Sequence, residues 1–249
     1  MGKKKQNKQT KQICTTNMPT VSICTPTYNR RKFIPFIIKC YLAQTYPKSL
    51  IEWIVVDDGS DKVEDLFKDV PGVKYFYHEE KMKLGKKRNY MHSKATGDII
   101  IYMDDDDYYP PCRVRHAVIK LRSKKNILIS GCSQVYIYFK DLDKIYSFGP
   151  YGPYHSTAGT FAFKRELLKN TQYDDDSEMA EEKHFLKNYT IPLIQLDPMK
   201  SILIFAHDMN TFDKRKLLIN ANPNIVKETK LKLKKIIKDK EMLHFYMTQ

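Results

Sequence analysis

The stretch at residues 97–111, GDIIIYMDDDDYYPP, constrains the chain most. Its run Ile99-Ile100-Ile101-Tyr102-Met103 is continuously apolar, the pattern of a strand buried on both faces. Four aspartates, Asp104 to Asp107, stand where that strand must end. In open α/β sheets, ligands sit at the carboxyl ends of strands. Adjacent carboxylates raise one another's pKa unless a cation offsets them, and a hard divalent metal is the simplest such cation. An acidic run by itself reads as well as a solvated loop. Its position directly after a buried strand and before Pro110-Pro111 favours a site.

The first half repeats the strand-then-helix pattern. Residues 21–27 and 51–56 read as buried strands, the second closed by Asp57-Asp58-Gly59-Ser60, and 73–77 as a third. Helical spacing falls at 31–43, 61–67 and 84–95, the last stopped by Gly97, and at 113–122 after the Pro-Pro pair. This alternation predicts an α/β fold with a parallel sheet and right-handed crossovers. After Ser123 the pattern changes. Residues 127–139 are β-rich with Gly131 inside, and 145–154 are rich in Gly, Pro and Tyr, a loop over a site. A strand is expected at 157–163 with a short helix at 164–169. A helix is expected at 177–188, short strands at 191–196 and 202–205, and an amphipathic basic helix at 227–245. The expected units are a disordered basic tail (1–18), a nucleotide-binding half (19–123), an acceptor-binding half of the same domain (124–222) and a basic C-terminal helix (223–249).

At 249 residues and 42% apolar content the chain can bury a sizeable core. Its net charge of +14 comes largely from the ends: residues 1–17 contain no acid, and the sequence is again Lys-rich from 227 on. Such ends fit solvated tails or weak attraction to polyanions and membrane surfaces. No nucleic-acid-binding motif is present, so no specific nucleic-acid partner is expected. The five cysteines (Cys14, Cys24, Cys40, Cys112, Cys132) are odd in number and without a CxxC pair. That pattern predicts a reducing compartment, with Cys24 and Cys40 as core residues. No apolar run has transmembrane length, the Lys-rich start has no hydrophobic segment behind it, and Gln6 stands where myristoylation needs Ser or Thr. A cytoplasmic location is the expectation.

Polar groups cluster at the ends of three predicted strands: Thr25, Pro26, Tyr28 and Arg30 at the first, Asp57 and Asp58 at the second, the acidic run at the fourth. In a doubly wound sheet such ends converge on one crevice. A carboxylate there accepts hydrogen bonds from a ribose or a base N–H, and Tyr28 offers a flat face for a base. Residues 83–89, with Lys86 and Arg88, form a basic segment opening a helix, which suits phosphate.

Taken in order, TPTYNR, VVDDGS, GKKRN and ATGDIIIYMDDDDYYPP resemble the nucleotide-binding half of family 2 glycosyltransferases with the GT-A fold, over roughly residues 20–122. The resemblance implies a Rossmann-like, mostly parallel sheet flanked by helices, with a smaller mixed acceptor-side region. It also implies metal-dependent, inverting transfer from a UDP-sugar to the hydroxyl of a glycan, protein or lipid-linked acceptor, with Mn2+ or Mg2+. Asp57 and Asp58 would contact uracil and ribose, and Arg88 would lie near the nucleotide. The Asp-x-Asp motif for ribose and metal maps onto Asp104 and Asp106, with Asp105 between and Asp107 as adjunct, although four acids leave the register open. The base carboxylate of inverting members matches Glu182, in the place usually held by Asp, and either acid can serve. Glu181 and Glu182 are equally what a helix first turn prefers, and Asp174-Asp175-Asp176 is a competing cluster. His207 is similar to a late histidine that completes the metal site or touches the diphosphate; a surface histidine at a strand end is the other reading. His155, in the Gly/Tyr loop, is placed to face acceptor, and Trp53 reads as core. Two rivals remain. A nucleotidyltransferase would carry a Gly-rich loop after the first strand, which TPTYNR lacks. A non-catalytic nucleotide- or polyanion-binding module is favoured by the basic ends and opposed by the acidic run.

Overall fold

The apolar runs of the first half become β1 (Val21–Thr27), β2 (Ile51–Asp57), β3 (Val73–Tyr77) and β4 (Ile99–Tyr102) in a computed structural model that describes residues 18–248. The expected disordered tail lies outside the described residues except for Met18. β1 pairs in parallel with β2 on one side and with β4 on the other, and β2 pairs in parallel with β3. The crossovers run through α1 (Ile34–Leu42), α2 (Glu64–Phe67) and α3 (Leu84–Lys94). The strand order 3-2-1-4 therefore reverses between β1 and β4, and a crevice opens at such a reversal. The register sets Thr27 opposite Asp57 and Cys24 opposite Tyr102, so the polar strand ends share one edge.

Side chains that alternate along these strands go to opposite faces. Val21, Ile23, Trp53, Val55, Ile99 and Ile101 pack with Ile34 and Ile37 of α1 and with Val114 and Leu121 of α4 (Arg113–Ser123). Cys24, Ile54, Val56, Ile100 and Tyr102 pack on the other side with Met91 of α3. Burial on both faces is why these segments read as continuous apolar runs. Cys24, Cys40 and Trp53 are core residues, as expected.

The second half extends the sheet and adds another. β8 (Ala162–Lys164) pairs antiparallel with β4, and β5 (Ile129–Gly131) and β9 (Leu193–Gln195) follow it, so the order is β3-β2-β1-β4-β8-β5-β9. β6 (Val135–Phe139), β7 (Lys144–Phe148), β10 (Ile204–Ala206) and β11 (Val226–Glu228) make a four-stranded sheet ordered β10-β6-β7-β11. The β-rich stretch expected at 127–139 is thus two strands in different sheets. Gly131, the last residue of β5, leaves room for Ser156, because a Cβ there would stand 1.9 Å from Ser156 Oγ.

Two expected helices differ in the structure. Within 177–188 only α5 (Glu182–Phe185) is helical, with Ala180 left-handed before it. The preceding turn is held against α3 instead: Gly85 N donates to Ser177 O (3.0 Å), and Asn89 Nδ2 donates to Tyr173 O (2.9 Å) and Asp175 Oδ1 (2.7 Å). These tertiary bonds override helix propensity. The expected basic helix at 227–245 is β11, then α6 (Leu233–Ile236), then α7 (Lys240–Thr248). Pairing of β11 with β7 claims its first residues, and Asp239 Oδ1 caps α7 by accepting from Met242 N (2.8 Å). This segment is part of the core: Phe245 stacks on Phe36 (3.7 Å), Tyr246 stacks on Phe205 (3.9 Å), and Lys39 pairs with Asp239 and Glu241. Among the described residues no helix is long and apolar enough to cross a membrane.

Two outcomes follow. Phe245→Ala removes a buried ring between Phe33 and Phe36 and is expected to cost about 3 kcal/mol or more, read from the urea midpoint. A loss below about 1 kcal/mol would mean that α7 does not dock as described. The second concerns Glu52, at the opposite end of the sheet from the crevice. Burial pushes its carboxyl up, but hydrogen bonds from Lys74, Ser22 and Thr96 together outweigh that and hold it at about 2. Its folded-state pKa is therefore below its unfolded value, so its stabilisation is full above about pH 4.5 and is lost as pH falls toward about 2. Glu52→Gln should be less stable at neutral pH but lose less stability across that acid window. Equal acid-induced losses in the two proteins would refute the assignment.

Candidate functional site

The loops after β1, β2 and β4 meet at the reversal of strand order. Some of the expected side chains there are used up in holding the loops. Thr25 Oγ1 accepts from Trp53 Nε1 (2.8 Å) and donates to Met103 O (2.6 Å), tying three strands together. Asp57 Oδ1 accepts from Gly59 N (2.9 Å), and Oδ2 accepts from Val63 N (3.2 Å) and Tyr75 Oη (2.6 Å), which fixes the turn after β2. Gly59 is required in that turn, since a Cβ would lie 2.6 Å from Asn29 N.

Asp58 is buried beside the crevice. Its Oδ2 accepts from Met82 N (2.7 Å), and its Oδ1 pairs with the Lys87 ammonium, which also donates to Thr27 O (3.1 Å). Burial lowers the Lys87 pKa against the pull of Asp58. Lys86, the expected phosphate ligand, points away and lines an outer hollow with His78, Glu79 and Asp175. Neighbours on a helix do not share a face, so a basic pair in sequence cannot say which member turns inward. Pro26 lies half-buried on β1, while the Tyr28 ring is 39% exposed with the Lys81 ammonium 4.4 Å above it.

The acidic run alternates. Side chains of Asp104 (24% exposed) and Asp106 (14%) reach the crevice, whereas Asp105 and Asp107 are buried. Arg30 stands 3.7 Å from Asp106 and 3.9 Å from Asp105. Asp106 Oδ2 lies 3.1 Å from His207 Nε2 and 3.3 Å from Asn210 Nδ2. His207 is held by contact with the tilted Phe33 ring (4.7 Å) and by Asn210, whose Oδ1 accepts from His207 N (2.9 Å). Asn210 Nδ2 stands 2.9 Å from His207 Nε2. Protonated at Nε2, His207 donates to Asp106; unprotonated there, the same nitrogen and the Asp106 carboxylate are close enough to share one cation. Asp107 is engaged elsewhere: Oδ1 accepts from Phe205 N (3.0 Å) and its carbonyl accepts from Tyr246 Oη (3.1 Å).

Charge in the run is uneven. Burial and neighbouring Asp106 push Asp105 up to about 8 against Arg30. Burial raises Asp104 against Arg88, and burial with Asp106 raises Asp107 well above the ordinary carboxyl range. Burial acts on Asp106 too, but His207, Lys214 and Arg30 outweigh it and hold that carboxyl well below the usual value. A divalent cation beside the run would favour the ionised form of all four. Among the described residues no three His, Cys, Asp or Glu form a ready cage. The Asp106–His207 pair with Asp104 beside it fits an ion that takes its other ligands from diphosphate and water, as Mg2+ does with one or two carboxylates.

Arg88 joins this run to the turn that precedes α5. It is buried, donates from Nε to Glu181 Oε1 (2.8 Å), stands 3.6 Å from Asp104 Oδ1 and lies 4.4 Å over the Tyr102 ring. Glu181 is thereby committed. Glu182 begins α5 unpaired among the described salt bridges, with a carboxyl raised by burial and by Glu181. The Arg88–Glu181 bond spans 93 positions and leaves no signal in the sequence. Lys87, Asn210 and Lys214 were likewise not singled out from sequence; Asn210 had the one available cue, its place three residues after His207.

A sequence profile for glycosyl transferase family 2 matches residues 22–187, from β1 through α5. An uncharacterized glycosyltransferase of Rickettsia typhi is 32% identical over 141 residues, covering 53% of this chain and 44% of its own length. The poly(ribitol-phosphate) beta-N-acetylglucosaminyltransferase TarS of Staphylococcus aureus is 30% identical over 96 residues, 36% of this chain and 17% of TarS. Among solved structures, the mannosyltransferase PcManGT of Pyrobaculum calidifontis, in complex with GDP-Man and Mn2+, matches with a TM-score of 0.63 at 19% identity, over 78% of this chain and 59% of that one. TarS 1–349 in complex with UDP-GlcNAc matches with a TM-score of 0.60 at 20% identity, over 77% and 60%. The chain therefore spans less than half the length of these sequence relatives. At such identities the structural matches establish the fold, which is GT-A. Because the profile runs unbroken from the first strand, across the acidic run and on to the helix of Glu182, the chain belongs to glycosyl transferase family 2.

Proposed function

We propose that this chain moves a sugar from a UDP-sugar to an acceptor hydroxyl, with a divalent metal and with inversion at the anomeric carbon. The observation that supports the reading is the buried Arg88, which ties the turn before α5 (Glu181) to the acidic run (Asp104) beside the Asp106–His207 pair. The TarS complex with UDP-GlcNAc supports a UDP-linked donor.

In this reading Tyr28 offers its face to the base, with Lys81 above it and Asp58 and Lys87 at the ribose side. Asp104, Asp106 and His207 would hold Mn2+ or Mg2+, and Asp107 keeps the run anchored to β10. A bound ion there would offset the charge gathering on the departing diphosphate. Arg30 and Lys214 add positive charge at the same place. Glu182 takes the proton from the acceptor hydroxyl as its oxygen attacks the anomeric carbon and the bond to the diphosphate breaks on the opposite side. The raised pKa of Glu182 makes it a stronger base than an exposed glutamate. The acceptor is a glycan, or a protein- or lipid-linked group, and the basic ends allow weak attraction to an anionic surface.

Two measurements test this. UDP should bind about tenfold or more tightly with Mn2+ than without it, and Asp106→Ala should lose that gain with an unchanged melting temperature. Equal UDP affinity with and without Mn2+ in the unaltered protein would remove the metal from the mechanism. A panel of UDP-sugars should reveal one that is turned over, even slowly with water as acceptor. Glu182→Gln should lower that kcat by about a hundredfold or more, with UDP affinity unchanged. Normal turnover in Glu182→Gln alongside a dead Glu181→Gln or Asp176→Asn would move the base to another carboxylate.

A further inference from the structure

α5 turns one face to the interior and leaves Lys183 and His184 on the other. Phe185 is fully buried and stacks on Tyr173 (4.4 Å), whereas Lys183 and His184 are exposed. The two outer side chains line a hollow of about 590 Å³ together with Lys187, Asn170, Gln172 and Asn188. That size is ordinary for a small-molecule site. The lining is amide, hydroxyl and basic, and no Asp or Glu among the described residues belongs to it. The outer hollow that contains Lys86 differs, because Glu79, Glu80 and Asp175 share it.

The hollow is held in shape by the backbone. Thr171 Oγ1 donates to Phe185 O (2.7 Å), Lys187 N donates to His184 O (2.9 Å) and Asn188 N donates to Lys183 O (2.9 Å). Lys187, Asn188 and Tyr189 are all left-handed (φ 49°, 54° and 60°), a conformation that side-chain-bearing residues rarely adopt in succession. Strained backbone of this kind collects at ligand clamps. Among the described ion pairs neither Lys183 nor Lys187 has a carboxylate partner; the lysines that do are Lys39, Lys74, Lys83, Lys87, Lys144 and Lys200. Two ammonium groups in one hollow repel each other, and a small anion between them removes that repulsion. His184 Nδ1 donates to Gln172 O (3.1 Å), since a carbonyl only accepts, which leaves Nε2 to take up a proton or a hydroxyl hydrogen.

We propose that this hollow binds a phosphate group, carried by a phosphomonoester or as the free ion, at Lys183, His184 and Lys187. The site shares no lining residue with the crevice and does not rest on the glycosyltransfer reading. The lysines supply point charges, and the side-chain amides of Asn170, Gln172 and Asn188 supply further donors. An extended polyanion fits less well. Asp174, Asp175, Asp176 and Glu178 are exposed on either side of Ser177, itself part of the lining, and would repel a chain of phosphates laid across this surface.

Calorimetric titration of the full chain with inorganic phosphate and with glucose 6-phosphate tests the site, each with and without saturating UDP and Mg2+. At least one probe should bind with a Kd of about 1 mM or below, unchanged by UDP. Lys183→Ala and Lys187→Ala should each weaken that binding about fivefold or more, and Lys183→Arg should retain it. Lys86→Ala removes the same charge from the other hollow and should leave the affinity within about twofold. Tighter binding of glucose 6-phosphate than of phosphate assigns the hollow to a phosphomonoester; phosphate binding at least as tightly assigns it to the free ion. Unaltered affinity in both alanine variants overturns the proposal, as does an equal loss in Lys86→Ala, displacement by UDP, or a Kd above about 10 mM for both probes. Failure of UDP itself to bind would count against the donor reading, and the lysine variants still locate the phosphate. Lys183 and Lys187 are both exposed, so either variant keeps the test open if the other does not fold.

Discussion

Arg88 carries its charge where almost no water reaches it. Burial opposes that charge, and Asp104 and Glu181 more than restore it, with the Tyr102 ring beneath the guanidinium. A buried ion that loses one partner is strongly destabilising, because the remaining charge can be neither hydrated nor paired. Three pieces of chain are thereby fixed relative to one another: α3, the end of β4 and the turn that precedes α5. The side chains around Arg88 are arranged not to add a second charge. His92 donates or accepts with Tyr102 Oη at 2.5 Å, and burial followed by the nearness of Arg88 lowers its pKa to about 3, so it is neutral at any ordinary pH.

The acidic run stands on a similar balance from below. Arg113 is fully buried at the start of α4 and donates from Nη2 to Thr160 O (2.8 Å) and Phe161 O (2.9 Å). It thus holds the segment that carries Gly159 against Asp104, while Tyr109 Oη accepts from Asp104 N (2.7 Å). A side chain at 159 would occupy the place of the Asp104 carboxylate. The crevice is therefore walled by backbone on that side, and the reachable carboxylates are the two that the turn after β4 leaves partly exposed, Asp104 and Asp106.

What the sequence made legible follows from the period of its pattern. Strands buried on both faces announce themselves as runs such as Ile99 to Met103, and their ends can be read off the polar residues that stop them, so the fold class, the parallel strands of the first half and the convergence of their ends were accessible, whereas the strand order comes from the structure. Facing was not. Lys86 and Lys87 are adjacent and chemically alike, and only the packing of α3 decides that Lys87 meets Asp58. Nor were tertiary bonds that defeat local propensity: residues 177–181 look helical, but Gly85 takes the Ser177 carbonyl and Asn89 holds the turn just before it at Tyr173 and Asp175. The C-terminal stretch misled for a related reason. Its lysines are numerous enough to mask Leu233, Ile237, Met242, Phe245 and Tyr246, which are buried.

That last segment alters how the two halves are to be understood. The motifs of residues 20–122 contain the donor-side chemistry, but the run from Asp104 to Asp107 is not held by that half alone. Tyr108 exchanges backbone hydrogen bonds with Leu203 (3.0 and 2.9 Å), Asp107 is bonded to Phe205 and to Tyr246, and His207 reaches Asp106 from the strand that Phe205 belongs to. Phe33, at the head of α1, touches both the His207 ring and Phe245 of α7. One aromatic cluster thus supports the histidine from beneath and fastens the C-terminal helix. Side chains that act together must be held within about half an ångström, and Asp106 and His207 are steadied by residues more than seventy positions away from the acidic run. The second half is therefore a structural part of the crevice that carries the acidic run.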